Sequence, residues 1–247
     1  MDRRLTGLNL KTSISAIADL VMPRVCVVCG TPLIPQEKHI CLECLADMPL
    51  TRFSSSLHNA IADKFNALVE DSAYCRAAAL YYYGEESGYR RISQSLKYKR
   101  NFAAGRYFAG MLGDELAGSE LFKDVDLVVP VPLHWTRKWK RGYNQAEIIA
   151  GEIAGRLDAP MCRELLSRRR RTKTQTAVSV DEKKINVYGA FKTDLRALRA
   201  FGDVRHILLV DDVFTSGCTL AECHRVLREA LGGDVRISVA TLGFVGR

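Results

Sequence analysis

One stretch, ILLVDDVFTSGCTLAECHRVL from Ile207 to Leu227, constrains the fold of this chain more than any other. The aliphatic run Ile207 to Val210 suits a strand buried on both faces, the condition met in a parallel sheet covered by helices. The run ends in two adjacent carboxylates, Asp211 and Asp212. The small residues Thr215, Ser216 and Gly217 follow, and from Leu220 apolar residues recur at helical spacing. In such a sheet, ligands collect where strands end and helices begin, because that crevice presents backbone N–H groups and the positive ends of helix dipoles.

The rest of the chain repeats the alternation of strand and helix. CRAAALYYYG (Cys75 to Gly84) reads as a buried strand, and Glu85 to Leu121 as two helices interrupted near Asn101. DVDLVVPVP reads as a second strand and Tyr143 to Leu157 as a helix with Ala146, Ile149, Ala150, Ile153 and Leu157 along one side. After a basic irregular segment come strand Arg205 to Val210, helix Leu220 to Leu231 and strand Val235 to Leu242. The expected fold class is α/β, a mainly parallel sheet with helices on both faces. Three parts are expected: residues 1–48 as an N-terminal helix and cysteine module, 49–74 as a polar connection with some helical character, and 75–247 as the main domain. At 47% hydrophobic residues the 247-residue chain supports one sizeable core with an appended module. Leu10, Ile14, Ile17, Ala18 and Val21 fall at helical spacing without a continuous apolar run, which fits an amphipathic helix and neither a signal peptide nor a membrane span.

Four of the eight cysteines form two C-x-x-C pairs, Cys26 with Cys29 and Cys41 with Cys44. Thiolates with two residues between them approach one tetrahedral ion from a single tight turn, so the four together predict a structural Zn²⁺ with no open position, a redox dithiol or two free pairs being the alternatives. The other four, Cys75, Cys162, Cys218 and Cys223, stand singly or in helical context, and a reducing cytoplasm is the expected location.

At the mouth of the central strand, Gly217 lets the backbone turn around an anion, while Thr215, Ser216 and Thr219 offer hydroxyls beside its N–H groups. Two carboxylates beside a phosphate repel it unless hydroxyls or a cation intervene. A ribose 5′-phosphate satisfies this, its vicinal hydroxyls donating to Asp211 and Asp212. Here the residues resemble the phosphoribosyl pyrophosphate (PRPP) motif of type I phosphoribosyltransferases: four aliphatic residues, two acids and a T-S/T-G-x-T loop. With the four-cysteine module, VVPVPLHWTRKWKRGYNQAEIIA and NVYGAF (Asn186 to Phe191), the chain resembles the ComF/GntX family along nearly its whole length.

That resemblance implies a type I phosphoribosyltransferase-like domain in which Asp211 and Asp212 are the catalytic pair and Val213, Phe214, Thr215, Ser216, Gly217, Cys218 and Thr219 hold PRPP with Mg²⁺. It also makes Arg137, Arg141 and Asn144 candidates to face pyrophosphate, with Lys97 and Lys99 as weaker ones. Purine-salvage members of the superfamily carry an acid three residues after the acidic pair as general base. Thr215 stands there, and a threonine cannot take that proton at neutral pH, so the acceptor is left open.

Three readings remain: a phosphoribosyltransferase of unknown acceptor, a non-catalytic PRPP-responsive protein, and a factor handling single-stranded DNA in company with competence or DNA-uptake proteins. The last draws on a net charge of 36 − 28 = +8. The excess is concentrated at Arg137 to Arg141 and Arg168 to Lys173, among Trp135, Trp139 and Tyr143.

Overall fold

The computed structural model describes residues 24–69, 71, 73–84, 87–169, 185 and 187–246, Arg137 by its backbone alone. The N-terminal amphipathic helix expected before Arg24, and Arg170, Arg171, Lys173 and Asn186, lie outside the described residues. The chain divides into two compact units, Met1–Met48 and Pro49–Arg247.

In the first unit the turn after Cys26 closes by hydrogen bonds from Gly30 N to Cys26 O at 2.9 Å and from Cys26 N to Thr31 O at 2.8 Å. Gly30 takes φ +87°, a conformation costly to any residue with a Cβ. Glu37 braces the second turn, accepting from Ile34 N at 2.9 Å and Leu42 N at 2.8 Å. Helix α1 (Leu42–Ala46) follows, with the Cys41 sulfur accepting from Cys44 N as its cap.

The second unit holds α2 (Ala60–Asn66), β1 (Ala77–Tyr82), α3 (Arg90–Tyr98), α4 (Phe102–Ala117), β2 (Leu127–Pro130), α5 (Trp135–Arg141), α6 (Gln145–Leu157), β3 (Leu166–Arg168), β4 (Phe191–Thr193), β5 (His206–Phe214), α7 (Cys218–Leu231) and β6 (Arg236–Phe244). Four strands form one sheet in the order β1-β6-β5-β2, every pairing parallel, so β5 is interior. On one face Ala77, Ala79, Leu127, Val129, Ile207, Leu209, Ile237 and Val239 share a core with Ile61 and Phe65 of α2 and with Leu220, Cys223 and Leu227 of α7. Their neighbours Ala78, Val128, Leu208, Val210 and Ala240 are equally buried and, by the two-residue period of a strand, point to the other face. There α6 packs across β2 and β5 and against α4, burying Phe108, Leu112, Ile149 and Ile153. The expected parallel α/β architecture with helices on both faces is thus present.

The structure refines the sequence reading in four places. In residues 49–74, read as a polar connection with some helical character, the helix is α2, capped by Asn59, and it buries Ile61 and Phe65 completely, while Leu50 bridges Tyr81. The basic run after β2 is the short helix α5, which the missing apolar period concealed. The basic irregular segment begins and ends in an antiparallel ribbon, β3 against β4. Finally, β5 does not stop at Val210 but pairs with β6 through the acids to Phe214.

Candidate functional site

Because β5 continues to Phe214, the acidic pair is held by the sheet, Asp211 in register with Thr241. The loop proper shrinks to Thr215-Ser216-Gly217, and α7 begins at Cys218 rather than Leu220. Gly217 has φ +76°, and a Cβ there would come within 2.5 Å of Phe214 and 2.7 Å of Leu68, so glycine is required by conformation and by space. Thr215 is exposed and Ser216 and Thr219 are partly so, leaving three hydroxyls around the N-terminus of a 14-residue helix that no side chain caps. That end is an electropositive crevice open to an anion. Of the other loop residues, Val213 is partly exposed, Cys218 is buried, and Phe214 is a core residue, its ring against Phe65 and Phe244.

Asp211 is half-buried and Asp212 buried, with Asp212 N donating to Asp211 Oδ1 at 2.8 Å. Burial first, and then the Asp212 charge, push the Asp211 carboxyl up to about 7. The Lys97 ammonium, carried in on α3, forms an ion pair with Asp212. Burial alone would lower the Lys97 pKa, but the Asp212 and Asp211 charges outweigh it and hold the ammonium above its ordinary value. Tyr81, on β1, lies fully buried beside this group; its ionisation is pushed up by burial and, in smaller part, by Asp212. The site is therefore two carboxylates and one ammonium at a strand end, facing a glycine turn and a helix N-terminus.

The remaining candidates lie elsewhere or are engaged. Asn144 is buried as the cap of α6: its Oδ1 accepts from Ala146 N at 3.2 Å and its Nδ2 donates to Val131 O at 3.0 Å. Arg141 donates to Gln145 Oε1 at 3.0 Å and stacks over Tyr98. The Arg137 side chain is outside the described atoms, and Lys99 is exposed. Arg168 lies over the Phe191 ring. No sequence motif singled out Tyr81; only the register of β1 beside β6 brings it near the acids.

In the first unit the Cys26, Cys29, Cys41 and Cys44 sulfurs all lie within 4.8 Å of one another. Four thiolates about 2.3 Å from a shared tetrahedral ion stand about 3.8 Å apart, and Cys29 and Cys41 Sγ are 3.7 Å apart. None of the eight cysteines is in a disulfide. Thr31 draws the Cys29 thiol down to about 6, whereas burial and the neighbouring thiols push Cys44 up, and Cys41 is raised as well. The donor set fits a closed four-sulfur metal centre.

A Ser-His-Asp alignment also occurs, with His206 Nδ1 2.9 Å from Asp124 and Nε2 2.8 Å from Ser238 Oγ. Ser238 and His206 are 0% and 1% exposed, so no substrate reaches the hydroxyl and the trio is a structural clamp between β5 and β6. No helix among the described residues is long and apolar enough to cross a membrane.

The site is thus a parallel α/β sheet whose interior strand ends in paired acids and a glycine turn. The chain has homologues named for DNA uptake and use. It is 31% identical to competence protein F of Haemophilus influenzae over 141 residues, 56% of this chain and 61% of that protein. It is 35% identical to the DNA utilization protein YhgH of Escherichia coli K12 over 102 residues, 41% of this chain and 43% of that protein. The matches thus span about half the length of these curated relatives. No protein-family model matches the chain. The L. donovani hypoxanthine-guanine phosphoribosyl transferase structure aligns with 57% of this chain and 65% of its own, at 20% identity. The TM-score of that alignment is 0.29.

Proposed function

We propose that the protein binds PRPP at the end of β5 and transfers its phosphoribosyl group to an acceptor, releasing pyrophosphate. The observation that supports this reading is the Asp211–Asp212 pair placed beside the uncapped N-terminus of α7. The ribose 2′ and 3′ hydroxyls donate to the carboxylates while the 5′-phosphate takes the N–H groups and hydroxyls of Thr215 to Thr219. Lys97 offsets one of the two carboxylate charges, which reduces the repulsion a phosphorylated sugar would otherwise meet. Mg²⁺, were it to arrive with PRPP, would supply counter-charge to the pyrophosphate. As Thr215 supplies no base, the acceptor is one that needs no deprotonation by the protein or is deprotonated elsewhere. Four-cysteine zinc binding in the first unit, a cytoplasmic location consistent with cysteines outside disulfides, and work alongside DNA-uptake proteins belong to the same reading.

The test is incubation with Mg²⁺ and PRPP and a panel of bases, amines and single-stranded DNA, following pyrophosphate. Acceptor-dependent release that disappears in Asp211→Asn/Asp212→Asn supports transfer. Saturable PRPP binding without release for any acceptor leaves the non-catalytic, PRPP-responsive form of the protein.

A second reading, single-stranded DNA binding, is favoured by one observation. Trp135 and Trp139 are 67% and 86% exposed on α5, with Tyr98 at 72%, among the exposed Lys138 and Lys140. Rings and cations so exposed offer bases a stacking platform and phosphates a counter-charge. A salt-dependent mobility shift lost in Trp135→Ala/Trp139→Ala checks it; an unchanged shift assigns the rings no role.

A further inference from the structure

Asp71, Cys75 and His224 converge on one buried point. Cys75 Sγ lies 3.4 Å from His224 Nε2 and 3.7 Å from Asp71 Oδ2, and His224 Nε2 lies 3.0 Å from the same oxygen. A tetrahedral zinc-class ion held by one thiolate, one imidazole and one carboxylate sets these separations at about 3.6, 3.6 and 3.4 Å. The three atoms therefore already stand within a few tenths of an ångström of a ligand face.

The surroundings fix them in that arrangement. Asn66 grips the Cys75 backbone from both sides, its Oδ1 accepting from Cys75 N at 2.8 Å and its Nδ2 donating to Cys75 O at 2.8 Å. The His224 ring is set edge-on against Phe65, 5.7 Å between centroids. Arg228, one turn further along α7, donates to Asp71 Oδ2 through Nε at 3.0 Å and Nη2 at 2.6 Å. Its Nη1 is tied to Gly232 O and Val235 O. Both Arg228 bonds fall on Oδ2, the oxygen that His224 and Cys75 also approach, and they fix its position. A cavity of about 470 Å³ lined by Leu68, Cys218, His224 and Arg228 among others adjoins the His224 side of the trio.

We propose that Asp71, Cys75 and His224 are a second metal site, for a borderline divalent ion of the zinc and cobalt class, with a fourth position left open. The mixture of thiol, imidazole and carboxylate selects this class over magnesium or calcium, which take oxygen alone. Loading releases the Cys75 thiol proton to solvent, so the ion gains two anionic ligands and one neutral one. It would clip the loop after α2 to α7, the helix whose first turn follows Gly217.

The test is titration of the metal-free, full-length protein with Co²⁺, reading bound equivalents and the thiolate-to-cobalt absorption. Two equivalents are expected: one with the intense absorption of four thiolates, one with that of a single thiolate. Cys75→Ser and His224→Asn should each lose the second and keep the first, and Asp71→Asn, nearly isosteric, should weaken it at least tenfold. Cys41→Ser/Cys44→Ser should lose the first and keep the second, so the two sites fail separately. A single equivalent in the wild type that vanishes in Cys41→Ser/Cys44→Ser overturns the proposal whatever the variants' folding. So does a second equivalent retained by Cys75→Ser, His224→Asn and Asp71→Asn alike; the convergence is then a hydrogen-bonded network only.

Discussion

Asp211 is the residue whose ionisation sets when the site can accept a ribose. Its carboxyl, held at about 7 by burial and the Asp212 charge, is protonated in a growing fraction of molecules below that pH, and a protonated carboxyl is a poorer acceptor for two hydroxyls. PRPP affinity measured from pH 6 to 8 should therefore rise, and Asp211→Asn should flatten the part of that rise not owed to the ligand phosphate. Without ligand the sign for folding is opposite. The unfolded carboxyl ionises near its ordinary value of about 3.9, so this group's contribution to stability falls as pH rises through the interval up to about 7. Gly217 gives a second prediction. A Cβ there meets Phe214 at 2.5 Å in a left-handed backbone, so Gly217→Ala should lower stability by ~2–3 kcal/mol, read as a drop in denaturation midpoint. Gly217 and the acids were legible because their spacing is local. The pairing of Lys97 with Asp212 was not: 115 residues separate them by number (212 − 97), and only the packed position of α3 joins them.

Among the elements, those with a long apolar period were legible. The pair α3 and α4 was read with its break at Asn101, where the side-chain Oδ1 accepts from Ala104 N at 3.1 Å to start α4. Helix α6 was expected from Tyr143 and starts at Gln145, because Asn144 takes the cap. Asn144→Ala should cost ~1–2 kcal/mol for the cap, with more for the Val131 carbonyl left unpaired. Thermal denaturation checks it: a shift under half of that would mean the cap is replaced by water. Short elements escaped. Helix α5 has seven residues without an apolar stripe and is stopped by Gly142 at φ +83°. The ribbon β3–β4 pairs three-residue strands whose partners are set by tertiary packing, which no local pattern encodes.

For the whole molecule, acid and chelation probe different parts. His206 is buried against Asp124 and Ser238, and burial depresses its pKa despite the nearby carboxylate. A depressed folded pKa means that its contribution to stability is present above the unfolded value of about 6.5 and is lost as pH falls below it. Between pH 7 and 5 this contribution opposes that of Asp211, so the difference is what reports it: midpoints should fall more, or rise less, in wild type than in His206→Gln, and parallel curves would place the sensitivity elsewhere. If zinc holds the first unit, chelation should release about one ion from the four cysteines and abolish that unit's structure while the sheet of the second keeps its thermal transition. PRPP binding at the strand end is read by titration calorimetry of wild type and Asp211→Ala/Asp212→Ala with PRPP and Mg²⁺. Each lost charged hydrogen bond is worth ~1.5–3 kcal/mol, so the double variant should bind on the order of 10²–10⁴-fold more weakly than a saturable wild type, with its fold intact. Equal affinity in the two proteins, or no binding by the wild type, would contradict the account.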